Sequence, residues 1–449
     1  KNQFKICRPA SNLAFMGKLI EKVVIDQMNS YRELNGLNPV NQSAYRKYHS
    51  CETALMRITN DILMAMDEGK CVALVMLDLS AAFDTISHPI LLRRLEEDFG
   101  VKGNALLWYQ SYFEGRSQAV NINGTLSEAR PLTTGMPQGS CVGPSEFPPY
   151  TSPIFNIANM HNVPIHMYAD DTQLFLPFHI MDYEGAISKL QSCVEDIRLW
   201  LMQNHLKLNE EKTEFLIIGA KHLLRKLGGN FEFKIGNEII VAKQCAKNIG
   251  AMFDSNMNLK EHVNHMARAC YMHLRNIGHI RPYIDHQTAA TLVHAFISSK
   301  LDNSNSILGG QPQCVLRKLQ LIQNNAARLV ARKKRRDHIT PVLRDLHWLP
   351  VESRIKYKIC LLTHKALNGT SPRYIADLLT PYVPQRQLRS ANDNNLVLKV
   401  PRLKLSGGRA FSVQAPRLWN RLPARLKNCE SVETFKSNLK THLFTESYM

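Results

Sequence analysis

The sequence has no run of about 18 apolar residues, the length a helix needs to cross a bilayer, which leaves no candidate membrane span. No signal-peptide pattern opens the chain, which argues against secretion. Paired cysteines are missing too. The ten cysteines, Cys7, Cys51, Cys71, Cys141, Cys193, Cys245, Cys270, Cys314, Cys360 and Cys429, include no Cys-x-x-Cys, so a zinc knuckle or finger is excluded and the set reads as reduced thiols of an intracellular protein. The nearest approach to a metal cluster, His262, His265, Cys270 and His273, has helical spacing without a second cysteine pair and reads as structural. Internal repeats and long low-complexity tracts are absent. Acidic residues are the scarcer charge: 38 Asp+Glu stand against 56 Lys+Arg, a net +18. Such an excess implies a polyanionic partner, because neutralising phosphates releases condensed counterions; anionic lipid is the competing reading.

What is present is globular: 449 residues, 44% hydrophobic and 21% charged, enough for two or three domains of about 100–200 residues. Apolar residues at helical intervals predict helices over 15–31 and 52–69. "CVALVMLDLS" is a short apolar strand ending in Asp78, and "HPILLRRLEEDFG" a helix bracketed by Pro and Gly. "SQAVNINGTLSEARPL" alternates around Asn-Gly and predicts a hairpin. "VPIHMYADDTQLFLPF" reads as two strands with acids at their turn, followed by a long amphipathic helix and the strand "KTEFLIIG". Strands and helices alternate irregularly over the first 250 residues, then the chain turns mainly helical. This is an α+β pattern with a mostly antiparallel sheet.

Two adjacent carboxylates, Asp170 and Asp171, between apolar strand residues are costly unless a cation offsets them. Hard Mg²⁺, held by one or two carboxylates plus substrate phosphates, is the economical answer. Were their strands neighbours, Asp78 and Asp170 could hold two metals for phosphoryl or nucleotidyl transfer. Taken singly, Asp-Asp also suits a solvated turn and Asp78 a helix cap.

The order of these features in a basic chain resembles a known family. "LVMLDLSAAFDT", "GMPQGS", "YADD" and "LKLNEEKTEFLIIG" look like motifs A to D of reverse transcriptases. "RPASNLAFMGKLIEKVV", "QSAYRKYHSCETAL", "HITPVLRDLHWLPVESRIKYK" and "APRLWNRLP" are similar to non-LTR, LINE-type retrotransposon polyproteins of the jockey and chicken-repeat kind. The resemblance implies a right-hand polymerase with fingers and palm over 1–250, a helical thumb-like region over 251–340 and a nucleic-acid-binding or structural region over 341–449. It implies an RNA-directed DNA polymerase using two Mg²⁺ ions, with Mn²⁺ as the substitute. Its substrates would be deoxynucleoside triphosphates, a DNA primer or target and an RNA template, and it would act in the nucleus when copying a target, with the cytoplasm an alternative.

By motif position, Asp78, Asp170 and Asp171 would be metal ligands, and Phe83 a ring under the sugar that rejects a 2′-hydroxyl. Gln138 would support nucleotide and template, with Gly135 and Gly139 admitting close backbone approach, and Lys212 would protonate departing pyrophosphate. Arg8 and Arg46 fall where the family's fingers place basic groups near triphosphate and template. The run Arg332, Lys333, Lys334, Arg335 and Arg336 would track a phosphate backbone, though a localisation signal or a helix C-terminus would also use it. Trp348, Tyr357 and Trp419 suit either base stacking or burial.

Departures from the family are expected to matter. The apurinic-type endonuclease region is missing before Lys1, so target nicking would have to come from another molecule. Ala44 stands where the family carries Gly, and Cys51 where it carries Ser or Thr. Ser145 and Glu146 replace apolar positions, and Pro148 and Pro149 fall inside the helix that supports the nucleotide site. That helix is expected to be distorted, an interior Pro costing about 3 kcal/mol. The alternative reading is therefore a catalytically decayed remnant that only binds nucleic acid. Nothing in the sequence speaks to oligomeric state.

Overall fold

A computed structural model describes residues 11–229, 231–384 and 394–449. Its centre is an antiparallel sheet of β1 (Cys71–Leu77), β2 (Ile165–Tyr168), β3 (Asp171–Phe178) and β4 (Glu214–Ile218), in the spatial order β4-β1-β3-β2. The register runs from Val72 opposite Ile218 and Pro177 to Leu77 opposite Thr172. β1 is buried at every position, and its period-two alternation feeds two separate cores. Val72, Leu74 and Met76 enter one, while Ala73, Val75 and Leu77 enter the other.

The helices before and within this region include α1 (Phe15–Leu34), α2 (Cys51–Asp67), α3 (Val142–Thr151), α4 (Pro153–Met160) and α5 (Tyr183–Gln203). Ser50 and Thr53 close a reciprocal capping box at the start of α2. The Asn-Gly hairpin forms as the sequence predicts: Asn121–Ile122 pairs with Thr125–Leu126, and Asn123 and Gly124 both adopt positive φ, as a type I′ turn requires. The C-terminal half contributes α6 (Lys260–Ile280), α7 (Gln313–Ala331), α8 (Val351–Leu367), α9 (Phe411–Asn420) and α10 (Val432–Tyr448). The first core packs Leu55, Ile58 and Ile62 of α2 and one face of the sheet against Leu274, Leu319, Ile359, Trp419 and Phe435 of these helices. The second packs the other sheet face against Phe147 and Tyr150 of α3 and Leu190 and Ile197 of α5.

The expected distortion of α3 does not occur: the chain stays helical through Pro148 and Pro149 and turns only at Ser152 before α4. The physical reason lies on α1. Pro149 has no N–H to donate to the carbonyl of Ser145, four residues back, and Arg32 donates to that carbonyl instead, at 3.1 Å. The same guanidinium donates to Ser145 Oγ at 2.7 Å and to both Glu146 oxygens, at 3.1 and 3.2 Å, while Tyr109 donates to Glu146 Oε1 at 2.9 Å. Glu146 and Arg32 are 0% and 1% exposed, so the polar residues form a buried, partnered pair rather than a defect.

Candidate active site

One position past the last β1–β3 pair, Asp78 at the exit of β1 and Asp171 at the start of β3 lie side by side, because Leu77 faces Thr172. Tyr168 faces Asp171, so Ala169 and Asp170 make a two-residue turn between β2 and β3. Ala169 has φ +56, a left-handed backbone that costs a non-glycine residue about 1–2 kcal/mol. Gln42 holds it there. Its Oε1 accepts from the N–H groups of Ala44, at 3.0 Å, and Ala169, at 3.3 Å. Ser43 N–H donates to the Met167 carbonyl at 2.9 Å, and Met167 N–H to the Asn41 carbonyl at 3.0 Å, so residues 41–43 lie along the free edge of β2. Tyr45, beside this edge, has its hydroxyl pKa raised by burial and then by Asp170.

The acids that the sequence singles out are thus brought together. Asp171 is pushed up to about 6, first by partial withdrawal from water, then by the charges of Asp170 and Asp78, with Lys247 opposing. Asp78 Oδ2 is buried and accepts no hydrogen bond; Lys212 Nζ stands 3.7 Å from it on an exposed side chain. Among the described residues no group of three or more His, Cys, Asp or Glu side chains is arranged to hold a metal ion. The donor set nonetheless fits a hard cation. Oxygen ligands, mutual repulsion and an unsatisfied carboxylate oxygen are what such an ion offsets, and Mg²⁺ usually takes only one or two carboxylates from protein. His262 and Cys270 are buried on α6, as a structural reading requires.

The predicted substrate residues sit as follows. Phe83 is half-buried and stacks on Phe147 of α3, centroids 4.9 Å apart, and its carbonyl accepts from Met136 N–H at 2.8 Å. Gln138 donates to Asp84 Oδ1 at 3.1 Å. The close approach at Gly135 (φ +83) is to the chain itself: a Cβ there would lie 2.6 Å from the Asp84 carbonyl. Gly139 is exposed at φ +107. Arg46 is committed elsewhere, paired to both Glu33 oxygens at 2.7 and 3.1 Å and donating to the Pro39 and Gln42 carbonyls. Arg8 lies outside the described residues.

Arg332 ends α7 in a left-handed conformation and donates to the Arg281 and Ile284 carbonyls, while Lys333, Lys334, Arg335 and Arg336 are exposed. Trp348 and Trp419 are buried, which removes them from base stacking, and Tyr357 packs against the first core. No described helix is long and apolar enough to cross a membrane. Gln42 and Tyr45 both lie in "QSAYRKYHSCETAL", but unlike Arg46 neither carries a charge that marks it in the sequence.

Comparison with known proteins fits this geometry. The profile of the reverse transcriptase (RNA-dependent DNA polymerase) family matches residues 1–253. The chain is 25% identical over 400 residues to the probable RNA-directed DNA polymerase from transposon BS of Drosophila melanogaster, covering 85% of this chain and 42% of the relative. It is 26% identical over 269 residues to the RNA-directed DNA polymerase from mobile element jockey of the same species, covering 58% and 28%. The chain therefore spans less than half the length of these curated relatives. Among solved structures, it is similar to telomerase from Candida tropicalis in complex with a fragment of telomeric RNA, at 9% identity and TM-score 0.43, covering 95% of this chain and 56% of that one.

Proposed function

The chain belongs to the reverse transcriptase family, and on that premise we propose that it is an RNA-directed DNA polymerase of a non-LTR retrotransposon, extending a DNA primer with deoxynucleotides on an RNA template. The observation that carries this reading is the gathering of Asp78, Asp170 and Asp171 where β1 meets the β2–β3 turn, where withdrawal from water and then the neighbouring acids raise Asp171 to about 6. Asp78 and Asp170, with Asp171 beside them, would hold two Mg²⁺ ions, or Mn²⁺ in their place, whose chemistry is to favour the attacking alkoxide and the leaving phosphate oxygen.

The remaining roles fall to the chain's own groups. Phe83, its ring steadied by Phe147, occupies the space under the incoming sugar and rejects a 2′-hydroxyl. Gln138, tethered to Asp84, supports the base pair being formed. Lys212 stands beside Asp78 at the cleft edge, and there it donates a proton to departing pyrophosphate. The exposed Lys333–Arg336 run contacts the phosphate backbone of template or target. Copying at a chromosomal end would take place in the nucleus.

Primer extension on an RNA template with Mg²⁺ tests the reading. The intact chain is expected to incorporate deoxynucleotides, and Asp170→Asn to lose about a hundredfold or more, because metal stabilisation of a transferring phosphoryl group is worth several kcal/mol. An intact chain that binds primed RNA without extending it would sink the polymerase reading in favour of a binding remnant.

A further inference from the structure

Tyr374 lies in the short helical turn Arg373–Ala376, far along the chain from the acids, yet it is 1% exposed and set against β2, the strand that leads into their turn. Its Oη is 2.8 Å from Ser43 Oγ and 2.9 Å from Thr53 Oγ1. Ser43 Oγ is in turn 2.8 Å from Nε2 of the buried His166 on β2. The Tyr374 and His166 rings meet edge to face, centroids 5.0 Å apart, and Arg57 donates to the Tyr374 carbonyl at 2.9 Å.

Counting protons fixes the direction of this chain of contacts. Thr53 donates its hydroxyl proton to the Ser50 carbonyl at 2.9 Å. The 2.9 Å contact between Thr53 and Tyr374 then needs the tyrosine proton, and the contact between Tyr374 and Ser43 needs the serine proton. The last contact is left to a neutral His166 donating from Nε2. Every proton is used once, and no other order satisfies all four contacts.

We propose that Tyr374 is a positioning residue for the catalytic turn: its hydroxyl locks residues 41–44 against β2 and so fixes Ala169 and Asp170. The link is continuous. Ser43 bonds both Tyr374 and the Met167 carbonyl, and its neighbour Gln42 holds the Ala169 N–H. A left-handed Ala169 persists only where its surroundings over-determine it. The C-terminal region thereby becomes part of the active-site scaffold. The role rests on the polymerase reading above, but the bracing itself does not.

The test uses the full chain with Tyr374→Phe, Ser43→Ala and the double variant. Tyr374→Phe keeps the ring and removes only the hydroxyl. It is expected to slow incorporation about tenfold with the deoxynucleotide KM within about twofold, and to speed amide hydrogen exchange in residues 165–171 about tenfold while α8 is unchanged. The double variant is expected to be no slower than the worse single one, because both break the same link. Exchange of 165–171 at the wild-type rate in Tyr374→Phe, or losses that multiply in the double variant, would overturn the proposal. If the wild-type chain extends no primer, the polymerase reading fails, and the exchange result still decides whether Tyr374 braces the turn.

Discussion

Asp171 bears the cost of partial withdrawal from water with two other acids close by. Its carboxyl titrates at about 6 against an ordinary 3.8, so the folded chain favours the protonated form. The stabilisation this gives is complete below about pH 4 and is lost as pH rises through 6. Asp171→Asn is therefore expected to raise Tm at pH 7 in the absence of divalent cation and to leave it unchanged at pH 4. The quantity to follow by calorimetry is the difference between variant and wild type, since other carboxylates titrate equally in both. Adding Mg²⁺ at pH 7 should stabilise the wild type more than the variant; the same response in both would deny the acids a cation-holding role. At this scale the acids were legible through the order of their motifs in a basic chain, since taken singly each also suits a turn or a helix cap. Gln42 was not, because a neutral amide that caps two backbone N–H groups leaves no trace in composition or spacing.

The helix α3 shows how an element can look broken in one dimension and be sound in three. Pro148, Pro149, Ser145 and Glu146 violate every local rule for a buried helix, and the residue that answers them, Arg32, is 113 positions from Ser145. Removing one partner of a buried ion pair typically costs about 3–5 kcal/mol, whereas replacing both with apolar groups is often neutral. Arg32→Met is thus expected to destabilise the chain by about 3–5 kcal/mol in urea unfolding. Adding Glu146→Leu should recover part of that loss, the remainder being about 1–3 kcal/mol for each buried group still left unpaired, the Tyr109 hydroxyl and the Ser145 carbonyl. A single Arg32→Met variant as stable as wild type would show that α3 needs no support from α1. The palm strands were legible because β1, β3 and β4 are short apolar runs bounded by turn residues. The pairing that mends α3 was not, because it depends on which residues the folded chain brings together.

At the scale of the whole molecule, the match to the family ends at residue 253 while the first core does not. The sequence of α2 reads as amphipathic, with one side left for water. In the fold twelve of its 17 residues are buried, among them Thr53, Thr59, Asn60 and Asp67. Several of the polar ones, and their neighbour Glu52, find partners in the C-terminal half. Glu52 pairs with Lys358 at 3.0 Å and accepts from Ser306 N–H, Asn60 accepts from Ser412 N–H at 3.0 Å, and Asp67 accepts from the N–H groups of Arg402 and Leu403 at 2.9 and 2.6 Å. A fragment of residues 1–253 would uncover Leu55, Ile58 and Ile62 and leave these acceptors without the donors they have in the fold. At about 25 cal/mol per Å² of apolar surface and about 1–3 kcal/mol per unpaired buried group, the loss exceeds the margin of a typical domain. The full chain is accordingly expected to unfold in one cooperative transition, and the 1–253 fragment to bind ANS and melt without cooperativity. A fragment melting cooperatively within a few degrees of the full chain would mean that the family-matched half stands alone. The C-terminal helices would then be an appended module that does not help to hold residues 1–253 together.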